Sequence, residues 1–132
     1  MKIGDFQVAT YVVDEEKVRA FAAVSTDWNP IHVDSAYAKK TRFGRPIVHG
    51  GLIMSFVSAL LGQELPGPGS IYLTENATFR APVFVGDKVT VAVTVKEIRP
   101  NGVVTLEHQA HVDDRLVLEG KSVILFEPVV DR

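Results

Sequence analysis

The sequence predicts an α+β domain in which an antiparallel sheet wraps one long buried helix. Three observations carry this. Residues 52–61 are apolar nearly all round, the pattern of a buried helix rather than a surface one. Residues 88–98 and 103–112 alternate with period two on either side of Pro100-Asn101-Gly102, the pattern of a hairpin. Helical periodicity is confined to the first half and strand periodicity dominates the second, a segregation typical of α+β folds.

The elements run in order along the chain. Residues 6–13 mix β-branched and aromatic residues and predict a strand. Asp14-Glu15-Glu16 supplies an N-cap and an acidic first turn. Val18, Phe21, Ala22 and Ser25 recur at helical spacing, so 14–25 forms a helix with one apolar face. A loop spans 27–32. Asp34 caps a second, short helix reaching about residue 40. Residues 42–48 are irregular, broken by Gly44 and Pro46. The buried helix over 52–61 is stopped by Gly62, and 65–69 is a Pro/Gly loop. Residues 71–84 form a strand that turns at Gly86-Asp87, followed by 88–98, 103–112 and, after Asp113-Asp114, 116–126. The last four strands are expected to meander antiparallel. The chain reads as one domain over 1–132.

Composition removes several classes of function. The charged fraction is 23% and the formal net charge −2, with the signs interspersed; a nucleic-acid binder would show a basic stripe. There is no cysteine, hence no disulfide framework and no thiolate metal site, which suits the cytoplasm. The N-terminus has no apolar signal region, and 52–61 is too short to span a bilayer. The histidines lack metal-ligand spacing, and no phosphate loop or nucleophile elbow is present. No metal and no cofactor are therefore expected.

The chemistry is concentrated in Ser25-Thr26-Asp27-Trp28-Asn29-Pro30-Ile31-His32. Pro30 lacks an N–H and pushes Asn29 out of the α region, so the segment bends. A bend brings Asp27 and His32 together more readily than straight helix, and a convergent acid and base are the usual equipment for moving protons. Either residue alone would more often be a turn or loop side chain; the pair around Asn29-Pro30 favours function. Asn29 either binds substrate or, preferably, braces the loop. Gly50 and Gly51 open the buried helix, where unpaired N–H groups offer a site for developing negative charge. They also let the chain enter a crowded helix. His49 reads as structural, His108 falls in phase with core residues, and His111 falls on the polar side.

These residues resemble a known family. The run Phe21-x-x-Val24-Ser25-x-Asp27-x-Asn29-Pro30-Ile31-His32, with Ala38 further on, is similar to the signature of hydratase-2-type (R)-specific enoyl-CoA hydratases, MaoC-like proteins of the hotdog fold. Arg45-Pro46-Ile47-Val48-His49-Gly50, Leu61-Gly62-Gln63-Glu64-Leu65-Pro66-Gly67 and Pro82-Val83-Phe84-Val85-Gly86-Asp87 resemble the short bacterial members that supply 3-hydroxyacyl-CoA for polyhydroxyalkanoate synthesis. The likeness covers essentially the whole chain. Its Asp-x-Asn-Pro-x-His core is specific; its Val-Gly-Asp turn is common to many hotdog proteins. One position departs: Thr26 stands where the family has Gly. A Gly kept there for room would make Thr tolerable; one kept for a positive φ would make Thr strained. Room is the expected reason.

The resemblance implies reversible hydration of trans-2-enoyl-CoA to (3R)-3-hydroxyacyl-CoA by a homodimer. Asp27 and His32 would activate water and relay the proton. An ordinary carboxylate of pKa about 3.9 is a weak base for water, which burial would strengthen, whereas imidazole at about 6.5 is already suited. The resemblance points to the Gly50 amide as oxyanion donor and to Ser55 as a substrate-side hydroxyl. A bond from Ser55 to the preceding turn is an equal alternative. Leu65 and Val130 would line the acyl tunnel. Arg42, Arg45, Arg80, Lys88 and Lys96 are candidates for the CoA phosphates, none singled out. An acyl-CoA thioesterase, an acyl-carrier-protein dehydratase and a non-catalytic acyl-binding subunit are the competing readings; retention of both Asp27 and His32 argues against the last.

Overall fold

The computed structural model describes residues 1–130; residues 131–132 of the predicted domain lie outside the described residues. The elements run β1 (Phe6–Val12), α1 (Glu15–Ser25), α2 (Pro30–Val33), α3 (Ser35–Lys39), α4 (Gly50–Gln63), β2 (Ser70–Phe79), β3 (Lys88–Ile98), β4 (Val103–Val112) and β5 (Arg115–Phe126). One antiparallel sheet holds all five strands in the order β1-β3-β4-β5-β2.

Period-two patterning does what it predicts. Val89, Val91, Val93 and Val95 of β3 and Val104, Leu106, His108, Ala110 and Val112 of β4 all turn inward and are buried. The β3–β4 turn uses Gly102 at φ 87 and the β4–β5 turn uses Asp113 at φ 52, both conformations those residues tolerate. Leu52, Ile53, Phe56, Val57, Leu60 and Leu61 of α4 pack into this sheet as the core. The expected α+β hotdog arrangement is therefore present.

Five predicted details differ. Only β3, β4 and β5 meander. The strand predicted over 71–84 ends at Phe79, because Ala81-Pro82 removes a ladder donor. Residues 80–87 then run as a loop tied to the rest by an Ile47–Phe84 bridge, and β2 pairs with β5 at the far edge. Gly62 does not stop α4. The helix continues to Gln63 and is capped by Glu64, whose N–H donates to the Leu60 carbonyl. The loop predicted over 27–32 closes with one helical turn, α2, which Pro30 starts from its N1 position. Finally, α4 is buried on one face only: Gly51, Ser55, Ser58 and Ala59 are exposed.

His108, buried as its phase predicts, donates to a carboxylate oxygen of Glu75 on β2, and Ser122 of β5 donates to the other. Gly120 lies opposite His108 in the ladder, and a Cβ there would collide with the Asn76 backbone carbonyl of β2 and come within 2.8 Å of His108 Cε1. Burial, reinforced by Glu75, pushes the neighbouring Tyr72 hydroxyl up to about 12, so it stays a neutral donor. This cluster ties edge strand β2 to the sheet. His111 is half-buried opposite Thr90 rather than fully solvated.

Candidate active site

A ladder of side chains closes α1 and orients the turn that leads into α2. Ser25 Oγ donates to the Phe21 carbonyl at 2.6 Å and accepts from the Asp27 N–H at 3.2 Å. Asp27 Oδ1 accepts from the Asn29 N–H at 3.1 Å. Asn29 Oδ1 in turn accepts from the Ile31 N–H at 3.3 Å and caps α2. Three short polar residues, each bonding a backbone amide two positions on, replace the helix that Pro30 forbids. Asn29 thus braces the loop, as preferred from its sequence position.

The ladder spans a left-handed residue. Thr26 is the C-cap of α1 at φ 66, ψ 15. The backbone here does take a positive φ, so the expectation that Thr26 fits unstrained is corrected. A β-branched residue is disfavoured in this conformation by crowding of its Cβ against the backbone. Thr26→Gly is expected to stabilise the fold by about 1 kcal/mol, the relieved strain outweighing the added freedom of the unfolded chain. Urea denaturation midpoints compare the two; an unchanged or lower midpoint would contradict the strain.

His32 lies in α2, half-buried, with Nδ1 2.7 Å from the Ile47 carbonyl. A carbonyl only accepts, so Nδ1 carries the hydrogen and Nε2 keeps its lone pair. Burial holds the imidazole below its ordinary value. The Ile47 carbonyl and Asp27 pull upward, and His49 pushes further down. A base lowered below about 6.5 remains neutral through the neutral range and is lost only as pH falls through its shifted value. The acid limb of a kcat/KM profile is thus expected below about pH 6.5; a limb above it would contradict the shift.

The structure brings a third residue to this pair. His49, buried and directly before α4, places its Nε2 2.9 Å from the Asp27 backbone carbonyl. Its ring stacks on His32 with centroids 3.9 Å apart, and Phe21 packs on it with centroids 4.9 Å apart. The one hint in the sequence is its position next to Gly50. Asp27, His32 and His49 each bring a potential ligand atom within 4.8 Å of the others. They are the described residues best placed to hold a cation, but one nitrogen of each histidine already donates to a carbonyl. Asp27 itself is exposed, so the burial expected to strengthen it as a base is absent from the chain.

Gly50 and Gly51 form the first turn of α4, and neither amide has an acceptor among the described residues. Both positions are crowded. A Cβ on Gly50 would lie 2.8 Å from Phe79 Cε1, and one on Gly51 would lie 2.8 Å from Phe21 Cζ. A cleft of about 430 Å³ opens beside Gly50 and His32, with Phe79, Arg42 and Arg80 also on its wall. A second cleft of about 480 Å³ runs between the exposed flank of α4, at Met54, Ser55 and Ser58, and β2 at Tyr72–Glu75. Ser55 Oγ donates to the Leu52 carbonyl at 2.6 Å, the back-bond anticipated as one alternative.

The other predicted residues separate. Leu65 is in the core, whereas Val130 is 73% exposed. Arg45 stacks on Phe84, and Lys96 pairs with Glu107; Arg80 lies in the first cleft while its Nε bonds Glu119. Lys88 is exposed at the start of β3.

Comparison with known proteins fits this geometry. Residues 5–114 match the model of the MaoC-like domain. The chain is 58% identical over 83 residues to an (R)-specific enoyl-CoA hydratase of Aeromonas caviae; that alignment covers 63% of this chain and 62% of that protein, less than two thirds of its length. It is 39% identical over 126 residues to an (R)-specific enoyl-CoA hydratase of Rhodospirillum rubrum, covering 95% of this chain and 88% of that one. The solved structure of the A. caviae (R)-hydratase involved in PHA biosynthesis superposes with a TM-score of 0.93 at 42% identity, covering 96% of this chain and 98% of that chain.

Proposed function

Because this chain belongs to the MaoC-like family, we propose that it is an (R)-specific enoyl-CoA hydratase whose acid–base pair is Asp27 and His32. Hydration forms a C–O bond at C3 and a C–H bond at C2 of trans-2-enoyl-CoA, giving (3R)-3-hydroxyacyl-CoA reversibly. Water must lose a proton as it attacks, C2 must gain one, and negative charge on the thioester oxygen must be held meanwhile. The single observation that carries the reading is the gathering of Asp27 and His32, with potential ligand atoms within 4.8 Å of each other, while His32 and the unpaired Gly50 amide share one cleft. Asp27 and His32 bind the water between them and move its proton. The Gly50 N–H receives the developing oxyanion where the helix N-terminus is most positive. Gly51 keeps Phe21 close behind the site, Asn29 holds the loop, and Ser55 borders the acyl path with its remaining lone pairs. The chemistry asks for no metal and no cofactor beyond the CoA of the substrate.

The same reading extends to assembly. Strand β2 is a ten-residue edge with Ile71, Tyr72, Leu73 and Phe79 exposed, and the neighbouring flank of α4 carries Met54, Ser55 and Ser58. A long apolar edge of this kind is normally covered. A homodimer formed across it would enclose the acyl chain beside α4. No described helix is long and apolar enough to cross a membrane. A cytoplasmic enzyme feeding 3-hydroxyacyl-CoA to polymer synthesis suits these features. The test is purified protein with crotonyl-CoA. Loss of the enoyl-thioester absorbance without release of free thiol supports hydration; free CoA would indicate a thioesterase.

A further inference from the structure

His49 is buried between two rings, yet one of its nitrogens reaches the peptide of Asp27. Its backbone is fixed from outside the site. Val48 N–H donates to the Val83 carbonyl at 2.7 Å, and Ile47 bridges to Phe84, so the residue is pinned to the 80–87 loop. Its side chain gives no cap bond to α4, the usual task of a residue in that position. Instead Nε2–H donates to the Asp27 carbonyl at 2.9 Å, since that oxygen only accepts, and Nδ1 is left buried without a partner. The stacked His32 ring meanwhile donates from Nδ1 to Ile47, two residues before His49. One short segment thus holds both members of the pair: Ile47 sets the tautomer of His32, and His49 holds the Asp27 peptide.

We infer that His49 is a positioning residue for the reaction, clamping the Asp27 peptide by its Nε2–H and backing the face of His32 so that the His32 Nε2 stays aligned with the Asp27 carboxylate. An aromatic clamp suits this place because the two partners sit on a loop built only of short side-chain bonds, which would otherwise be free to shift. A displacement of about 1 Å in such a pair costs on the order of 100-fold in rate. The inference rests on the hydratase reading for the meaning of that rate.

Charged and titratable groups reach His32 from several elements. Asp27 comes from its own loop and His49 from the α4 cap. Arg42 and Arg80 lie on the wall of the first cleft, and Glu15 and Arg19 of α1 lie on the other side. Of these, His49 is in face-to-face contact with the ring. Removing it removes a group that disfavours the imidazolium, so the His32 midpoint should rise.

Two variants test this on the full chain. His49→Phe keeps an aromatic stack but loses the donor to Asp27, and should lower kcat by about tenfold or more with KM near the starting value. His49→Gln restores an N–H donor at similar reach, and should recover most of that loss. In His49→Gln, the His32 ring midpoint measured by NMR titration should move upward, because the stacked ring that buries and disfavours the imidazolium is gone. Recovery of kcat in His49→Gln relative to His49→Phe is the readout that packing alone would not give. An undiminished kcat in His49→Phe, or an unmoved His32 midpoint in His49→Gln, overturns the inference. If His49→Phe fails to fold, His49→Leu takes its place in the rate comparison, and the His32 midpoint in His49→Gln is read beside it. That readout needs no substrate, so it stands or falls apart from the hydratase reading, which fails separately if the unmodified chain does not hydrate crotonyl-CoA.

Discussion

Asp27→Asn is expected to lower kcat about 1,000-fold, within the range by which a positioned acid or base accelerates proton transfer, while leaving the fold intact. The ladder explains why structure survives. Asn29 N–H donates to Asp27 Oδ1 at 3.1 Å, and an asparagine side-chain oxygen accepts that bond equally well. The carbonyl that binds His49 is backbone and is untouched by the change. What disappears is the negative charge and the second oxygen, the parts that can take a proton from water. Asp27→Ala would remove the brace as well and confuse the two effects, so the amide is the informative substitution. Circular dichroism and a thermal midpoint report the fold; the initial rate with crotonyl-CoA reports the chemistry. An Asp27→Asn protein of undiminished rate would remove Asp27 from the mechanism.

Gly50→Ala should cost about 100-fold in kcat/KM, the scale of losing one oxyanion-hole donor. A Cβ at residue 50 meets Phe79 at 2.8 and 2.9 Å, and the ring must swing away. Phe79 is 54% exposed, so the ring has somewhere to go and stability should fall only slightly. It is the approach to the amide that closes. Gly51→Ala makes the opposite contrast. Its Cβ meets Phe21, a half-buried ring packed against His49, so stability should suffer more than at residue 50. Equal losses of rate in the two variants at matched stability would show that crowding, and not the Gly50 N–H, is what matters.

Local order is legible in the sequence wherever one period dominates. Val89 to Val95 and Val104 to Val112 announce their strands and their buried face because alternation along a strand maps directly onto the two faces of a sheet. The pairing of β2 with β5 is less visible, since nothing in residues 70–79 says which neighbour they will join. The end of β2 at Phe79 turns on one proline three residues later. Gly62 looks like a stop yet sits within α4, because a glycine ends a helix only where the backbone needs a left-handed residue. Thr26 is the reverse case: a residue poorly suited to that conformation occupies it, held by the bonds of Ser25 and Asp27 around it.

At the site, Asp27, Asn29 and His32 could be read because they share one bend in one short run. His49 is 22 residues from Asp27 in the chain. No spacing rule connects them, since their meeting depends on the 80–87 loop and on α4 being in place. The Glu75–His108–Ser122 cluster is hidden for the same reason. Each member sits on a different strand, and only the ladder registers bring them together.

The most direct measurement is hydration of crotonyl-CoA by the purified chain with chiral analysis of the product. The expected product is (3R)-3-hydroxybutyryl-CoA, formed with disappearance of the enoyl absorbance and with no free CoA. Formation of the (3S) alcohol, release of CoA thiol or no reaction would contradict the assignment of this site to (R)-specific hydration.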